Sequence, residues 1–260
     1  MKKIVSFVLA IIFVLSLSAC GAENSASDLD AIKEKGKIVV GITDFTPMDY
    51  LDENGEWIGF DADMAKAFGE YLGVEVEFIV IDWDNKIFEL ENKSIDVVWN
   101  GMTLTDKVKE KMGCSIPYCK NAQVVVVNAD AAANYQDEAS LKDLAFAVEA
   151  GSAGKETVEA LGLSFTEVSY QSDALMEVSA GTSDACVIDL LMAGAMIGEG
   201  TAYPDLTYTV SLTSEEYVVG FRKGSDLVDA FNEFWAKASA DGTVMETAKI
   251  YGVQESVILG

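Results

Sequence analysis

Asp189 closes the apolar run Ala185-Cys186-Val187-Ile188. A carboxylate at the end of a buried strand is costly unless something hydrogen-bonds or neutralises it. Either a helix amide or the ammonium of a ligand would meet that need. Trp83 stands between Asp82 and Asp84, where an aromatic face either fills a core or stacks on a bound group. Gly151-Ser152-Ala153-Gly154 precedes a helical stretch. Backbone amides at such a helix start hold anions, and a plain strand-to-helix turn uses the same residues. Asp44 is a polar loop residue that either caps its own turn or faces a solute. The chain has no histidine, and Arg222 is its one arginine. Acid–base catalysis would therefore rest on carboxylates such as Glu149.

The cysteines are Cys20, Cys114, Cys119 and Cys186. Cys186 lies in an apolar strand and reads as a small buried residue. Cys114 and Cys119 are available for a disulfide outside the cytoplasm, and spacing alone leaves that pairing open. Without histidine no structural zinc site is expected, and no cofactor. The net charge of −25 over 260 residues argues against nucleic acid and against electrostatic adhesion to membranes. The length suits one large domain or two modest lobes.

Lys2 and Lys3 precede an uncharged apolar run over 4–15, which ends in Leu17-Ser18-Ala19-Cys20-Gly21. That layout is a signal peptide over 1–19 with a small-residue cleavage site. Residues 21–28 read as a flexible tether. Further on, strand-like runs at 37–43, 74–81, 95–100, 123–128, 146–149, 185–188 and 217–221 alternate with helical periodicity at 61–72, 85–91, 155–161, 173–180, 226–240 and 244–250. Asp61, Asp84, Ser172 and Ser225 stand where N-caps belong, and Gly73 and Gly181 follow last turns. Alternating units with near-continuous apolar strands predict parallel-rich sheets covered on both faces. A weak echo aligns Ser94-Ile95-Asp96-Val97-Val98 with Thr182-Ser183-Asp184-Ala185-Cys186. It puts Gly101 level with Asp189 at the carboxyl ends of two strands, the edge where α/β sheets gather ligands.

Several segments in order carry a family resemblance: Lys35-Gly36-Lys37 through Asp44, Asp52-Glu53-Asn54-Gly55, Gly59-Phe60-Asp61, Asp82-Trp83-Asp84, Gly101-Met102-Thr103-Leu104-Thr105, Pro117-Tyr118 and Arg222-Lys223-Gly224-Ser225. The set is similar to the polar amino-acid-binding proteins of ABC importers over about 29–252, and the residues before Cys20 resemble the lipobox of bacterial lipoproteins. The resemblance implies a two-lobed α/β fold of the periplasmic-binding-protein (Venus-flytrap) kind, with two hinge crossovers and a cleft between lobes. Lobe 1 would comprise 28–117 and 218–260, lobe 2 would comprise 123–213, and the hinges would fall at 118–122 and 214–217. It implies lipidation of Cys20, an extracytoplasmic membrane-anchored monomer, and permease and ATPase partners. Ligand contacts would come from Asp44, Phe45, Trp83, Asn100, Gly101 and Thr103 in lobe 1, and from Glu149, Ser152, Ala153 and Asp189 in lobe 2, with Asp189 gripping an ammonium. Replacing Asp189 by Ala is expected to remove binding and leave the fold intact. Two rival classes remain: a carboxylate-dependent dehydratase-like enzyme on this fold, and a component presenting ligand to a sensor.

One departure from the family matters. The arginine that usually clamps the α-carboxylate of the ligand corresponds to Val108, and the helping threonine of lobe 2 to Ala153. Lys107 stands one residue off, roughly 100° round a helix, without the planar fork of arginine. With Asp44, Glu149 and Asp189 in the pocket, two solute classes stay open: a cationic amine, or an amino acid whose carboxylate meets Thr103 and backbone amides.

Overall fold

The computed structural model describes residues 27–260; the expected signal peptide and Cys20 lie outside them. Ser27 accepts from the Asp30 amide and caps α1 (Asp28–Lys35). Next come β1 (Lys37–Ile42), a hairpin of β2 (Tyr50–Leu51) and β3 (Trp57–Ile58), α2 (Phe60–Leu72) and β4 (Glu75–Val80). A 3-10 turn, Trp83–Asn85, leads into α3 (Lys86–Glu91), then β5 (Val97–Val98), α4 (Asp106–Lys111) and β6 (Gly113–Cys114). The chain crosses over on β7 (Cys119–Asn121) and continues as β8 (Gln123–Asn128), β9 (Ala145–Glu149), α5 (Ala153–Ala160), β10 (Ser164–Val168), α6 (Gln171–Ala180), β11 (Ala185–Asp189), α7 (Leu190–Met196) and β12 (Leu206–Ser211). It returns on β13 (Glu215–Tyr217) to β14 (Gly220–Phe221), α8 (Leu227–Asp241) and α9 (Thr243–Ile250).

Two mixed five-stranded sheets result, ordered β4-β1-β5-β14-β6 and β10-β9-β11-β8-β12. In the first, β1 runs parallel to β4 and β5. In the second, β9 runs parallel to β10 and β11, while β8 is antiparallel to β11 and β12. The two crossover strands pair with each other, Cys119 opposite Tyr217 and Asn121 opposite Glu215. The apolar runs of β1, β8 and β11 are buried along almost their whole length, as expected for strands covered on both faces. One core cluster is continuous from Ile38 and Phe60 through Tyr118 and Tyr217 to Val124 and Ile188. It therefore runs through the crossovers from one sheet to the other.

The echo seen in the sequence is a shared piece of construction. Asp96 accepts from the Val39 amide at 3.0 Å and returns its own amide to the Val39 carbonyl at 2.8 Å. Asp184 does the same with Ala145, at 2.9 Å both ways. Each carboxylate thus ties the start of one central strand to its parallel neighbour.

Several local expectations change. Asp61 is not a cap: Gly59 precedes α2, and Asp61 is buried one residue inside the helix. Helix α6 begins at Gln171, ahead of Ser172, and Asp226 precedes α8 while Ser225 accepts from the Leu227 amide. Gly73 and Gly181 do take left-handed conformations at helix ends. Cys114, Cys119 and Cys186 are free thiols. Arg222 lies outside the cleft: it pairs with Asp28 and Asp96 and donates to the Ile95 carbonyl at 2.9 Å.

Candidate ligand-binding cleft

The carboxyl ends of β1, β5, β9 and β11 converge on one cavity. Phe45, Trp83, Asn100, Gly101, Thr103, Glu149, Ser152, Ala153 and Asp189 all line it. Asp44 is outside this lining and is exposed on the loop after β1. Although its surface is exposed, partial desolvation by the surrounding loop, and then the charge of Asp173, raise its carboxyl above the usual range.

On the first sheet's side the β5 exit is fixed from beneath. Asn100 accepts from the amide and hydroxyl of Thr43 and donates to Asp49 at 2.9 Å. Asp61 accepts from the Gly101 amide at 2.7 Å and from the Tyr118 hydroxyl at 2.6 Å. The Gly101 amide is therefore committed within the protein. One oxygen each of Asp49 and Asp61 is buried without a partner. Burial pushes Asp61 up to about 7, and burial with the charge of Asp61 pushes Asp49 well above the carboxylate range. Two like charges packed behind the cleft thus favour the protonated form of Asp49.

Gly101 has φ +55°, and a Cβ there would stand 2.2 Å from Cε1 of Phe45. Phe45 in turn packs edge-on against Tyr217 at 6.4 Å. Gly101→Ala is expected to cost roughly 2 kcal/mol or more through left-handed strain and overpacking, and to weaken ligand binding by displacing Phe45. Thermal melts with and without ligand check this; an unchanged melt and affinity would show that Phe45 moves aside freely.

On the second sheet's side, Asp189 is 4% exposed. It accepts from Asn121, from Gln123 at 3.0 Å, from the Tyr217 hydroxyl at 2.7 Å and from Gln171. Burial and then the neighbouring charge of Glu215 still push it up to about 7. Glu215 of β13 shares these donors, accepting from Asn121 and Gln123 at 2.7 Å each and from Thr103 at 2.9 Å. Two amides thus join the carboxylate in the cleft to a crossover strand and on to Thr103. Glu149, 3% exposed at the end of β9, is less well served: the charge of Lys86 and then the Gln171 amide oppose its burial only in part. Burial, followed by the charge of Asp189, pushes Glu149 up to about 8. Ser152 caps α5 by accepting from the Lys155 amide at 3.0 Å.

Lys86 was not foreseen. It is 6% exposed at the start of α3, and its Nζ donates to the Trp83 carbonyl at 3.0 Å and to the Gly151 carbonyl at 2.8 Å. It rests 4.5 Å from the centroid of the Trp83 ring. Burial pulls its ammonium down to about 8, against the pull of Glu149. A Cβ on Gly151 would meet the Asp84 Cα at 2.6 Å, so the β9 exit and the Trp83 turn touch across the cleft. Val108 is buried in an apolar cluster with Met112, Leu90 and Trp83. Gln171, Asn121, Gln123 and Glu215 were also unforeseen, because each is a polar residue whose partner is distant in sequence.

Residues 38–254 match the family described as bacterial extracellular solute-binding proteins, family 3. The arginine-binding extracellular protein ArtP of Bacillus subtilis is 28% identical over 96% of this chain and 97% of its own. The P235GK mutant of ArgBP from T. maritima superposes with a TM-score of 0.81 at 31% identity, covering 86% of this chain and 99% of that one. An ancestral amino-acid-binding protein, AncCDT-1, described as a precursor of cyclohexadienyl dehydratase, gives 0.80 at 30% identity over 86% and 99%. These structures share the two-lobed fold.

Proposed function

The chain belongs to family 3 of the bacterial extracellular solute-binding proteins, and we propose that it captures an amino acid or a related small polar amine outside the cytoplasm and delivers it to an ABC importer. The observation that carries this reading is Glu149: a buried carboxyl lining the cavity, whose burial Lys86 and Gln171 offset only in part. An ammonium entering the cavity would supply the missing partner to Glu149, with Asp189 beside it. Binding rather than turnover agrees with ArtP and ArgBP, whose names describe binders.

Closure follows from the two crossovers. Lobe 1 is assigned to 28–117 and 218–260, lobe 2 to 123–213, and the hinges to 118–122 and 214–217. The solute would meet Phe45, Trp83 and Thr103 first, and rotation about the crossovers would bring in Glu149 and Asp189. The contact of Gly151 with Asp84 and the bond from Lys86 to Gly151 support such a closed state. Among the described residues no helix is long and apolar enough to cross a membrane. The lipid anchor is assigned to Cys20, which would keep a monomer beside its permease and ATPase at high local concentration.

A thermal-shift screen against amino acids, polyamines and quaternary amines tests the solute. A true ligand at 100 times its Kd adds about 2.7 kcal/mol, or roughly 5–10 °C for a chain of this size. No shift across the panel would refute the reading. Cys20→Ala should move the protein from the membrane fraction to the soluble fraction; retention on membranes would refute the anchor.

A further inference from the structure

The loss of arginine at position 108 has not left the cleft without a cation. Lys86 reaches the cavity from α3, and its ammonium has three N–H donors. Two are spent on the Trp83 and Gly151 carbonyls, the residue lines the cavity, and among the described residues the third has no hydrogen-bond acceptor, only the Trp83 ring at 4.5 Å. Glu149 and Asp189 line the same cavity from the second sheet. The cleft is therefore bipolar, with a cation held on the Trp83 side and carboxyl groups on the other. The ammonium also covers the Trp83 ring at 4.5 Å, which is where the cationic head of a ligand would have to stack. A second cation stacked beside it would be repelled, which disfavours a purely cationic solute at this ring.

We propose that Lys86 receives the carboxylate of the solute, making this cleft selective for zwitterionic amino acids over the amines left when their carboxylate is removed. The inference rests on the solute-binding reading above and narrows its ligand class. Because Lys86 also holds the Gly151 carbonyl, the same ammonium ties the anion to the contact between the two halves of the cleft. Lys107 lines the cavity too, but it is exposed on α4, where water screens its charge.

The test is titration calorimetry on the full chain in mild detergent, with matched pairs: arginine and agmatine, histidine and histamine, cystine and cystamine. Wild type is expected to bind the amino acid of at least one pair tenfold or more tighter than its amine, about the factor of one charge-assisted hydrogen bond. Lys86→Met should remove that preference by weakening the amino acid and strengthening the amine, whereas Lys86→Arg and Lys107→Met should keep it. The inference is overturned by wild type binding the amines as tightly as the amino acids. Equal loss of both partners in Lys86→Met, or loss of the preference in Lys107→Met instead, also overturns it. Wild type binding no member of any pair would overturn the solute-binding reading, and this inference with it.

Discussion

Asp189→Ala should abolish ligand binding and also lower the melting temperature by roughly 6–12 °C. The sequence alone suggests a variant that loses binding and keeps its fold; the donors around Asp189 change that expectation. Asn121, Gln123, Gln171 and Tyr217 all point at this carboxylate from buried positions. Each donor stranded without an acceptor costs about 1–3 kcal/mol. Entering water and the relief of repulsion from Glu215 leave a net loss of about 3 kcal/mol, which sets the shift quoted for a chain of this length. Calorimetric melting with a parallel binding titration separates the two effects. Unchanged affinity would remove Asp189 from the site, and an unchanged melt would show that the four donors re-pair among themselves and with Glu215.

Glu149→Gln should weaken an ammonium-bearing solute by about 10- to 150-fold, the worth of one charge-assisted hydrogen bond, without harming the unliganded protein. The reason is the difference between the two cleft carboxyls: Asp189 is held by four side chains, while Glu149 is opposed mainly by burial. The pH dependence follows in sign. Glu149 is raised from 4.5 to about 8 in the fold, so the folded protein holds a proton that the unfolded chain has released. Its stabilising contribution is complete below about pH 4.5 and is lost as pH rises through about 8. Asp61 and Asp189, both raised to about 7, act in the same direction. The unliganded protein should therefore melt at falling temperatures from pH 5 to pH 8, and Glu149→Gln should flatten that slope. Solute affinity runs the opposite way, because an ammonium prefers the ionised carboxylate. It should rise from pH 6 to pH 8 with release of a proton, measurable as a buffer-dependent heat. A binding constant flat across this range would place the ammonium away from Glu149.

The sequence was most informative where burial is continuous. The apolar runs at β1, β8 and β11 are visible without a partner strand, because a strand covered on both faces needs apolar residues at every position. It was least informative where a strand is half exposed or an element very short. β10 and β12 carry Ser, Thr and Glu among their apolar residues, and the run at 95–100 reduces to two paired residues, Val97–Val98. The cleft divides along the same line. Asp189, Glu149 and Gly101 could be found because each ends an apolar strand. Asp44 also follows one, yet its loop carries it outside the cavity lining. Lys86 lay three residues beyond Trp83, but nothing local distinguishes a lysine that will be buried from the many that stay in water. Glu215 became legible only once β7 and β13 had been paired.

The interrupted first sheet has a consequence for the order in which the protein can be made. All five strands of the second sheet lie between Gln123 and Ser211, whereas β14, the strand between β5 and β6, lies at Gly220–Phe221. Arg222, which ties Asp28 to Asp96, arrives later still. A chain emerging amino end first can close the second sheet while β5 and β6 still present open edges. The first half to be synthesised is thus the last to become native, and it stays dependent on whatever shields those edges until the carboxyl-terminal helices have emerged. A product cut short before Gly220 would keep the carboxyl groups of the cleft and lose the wall they face.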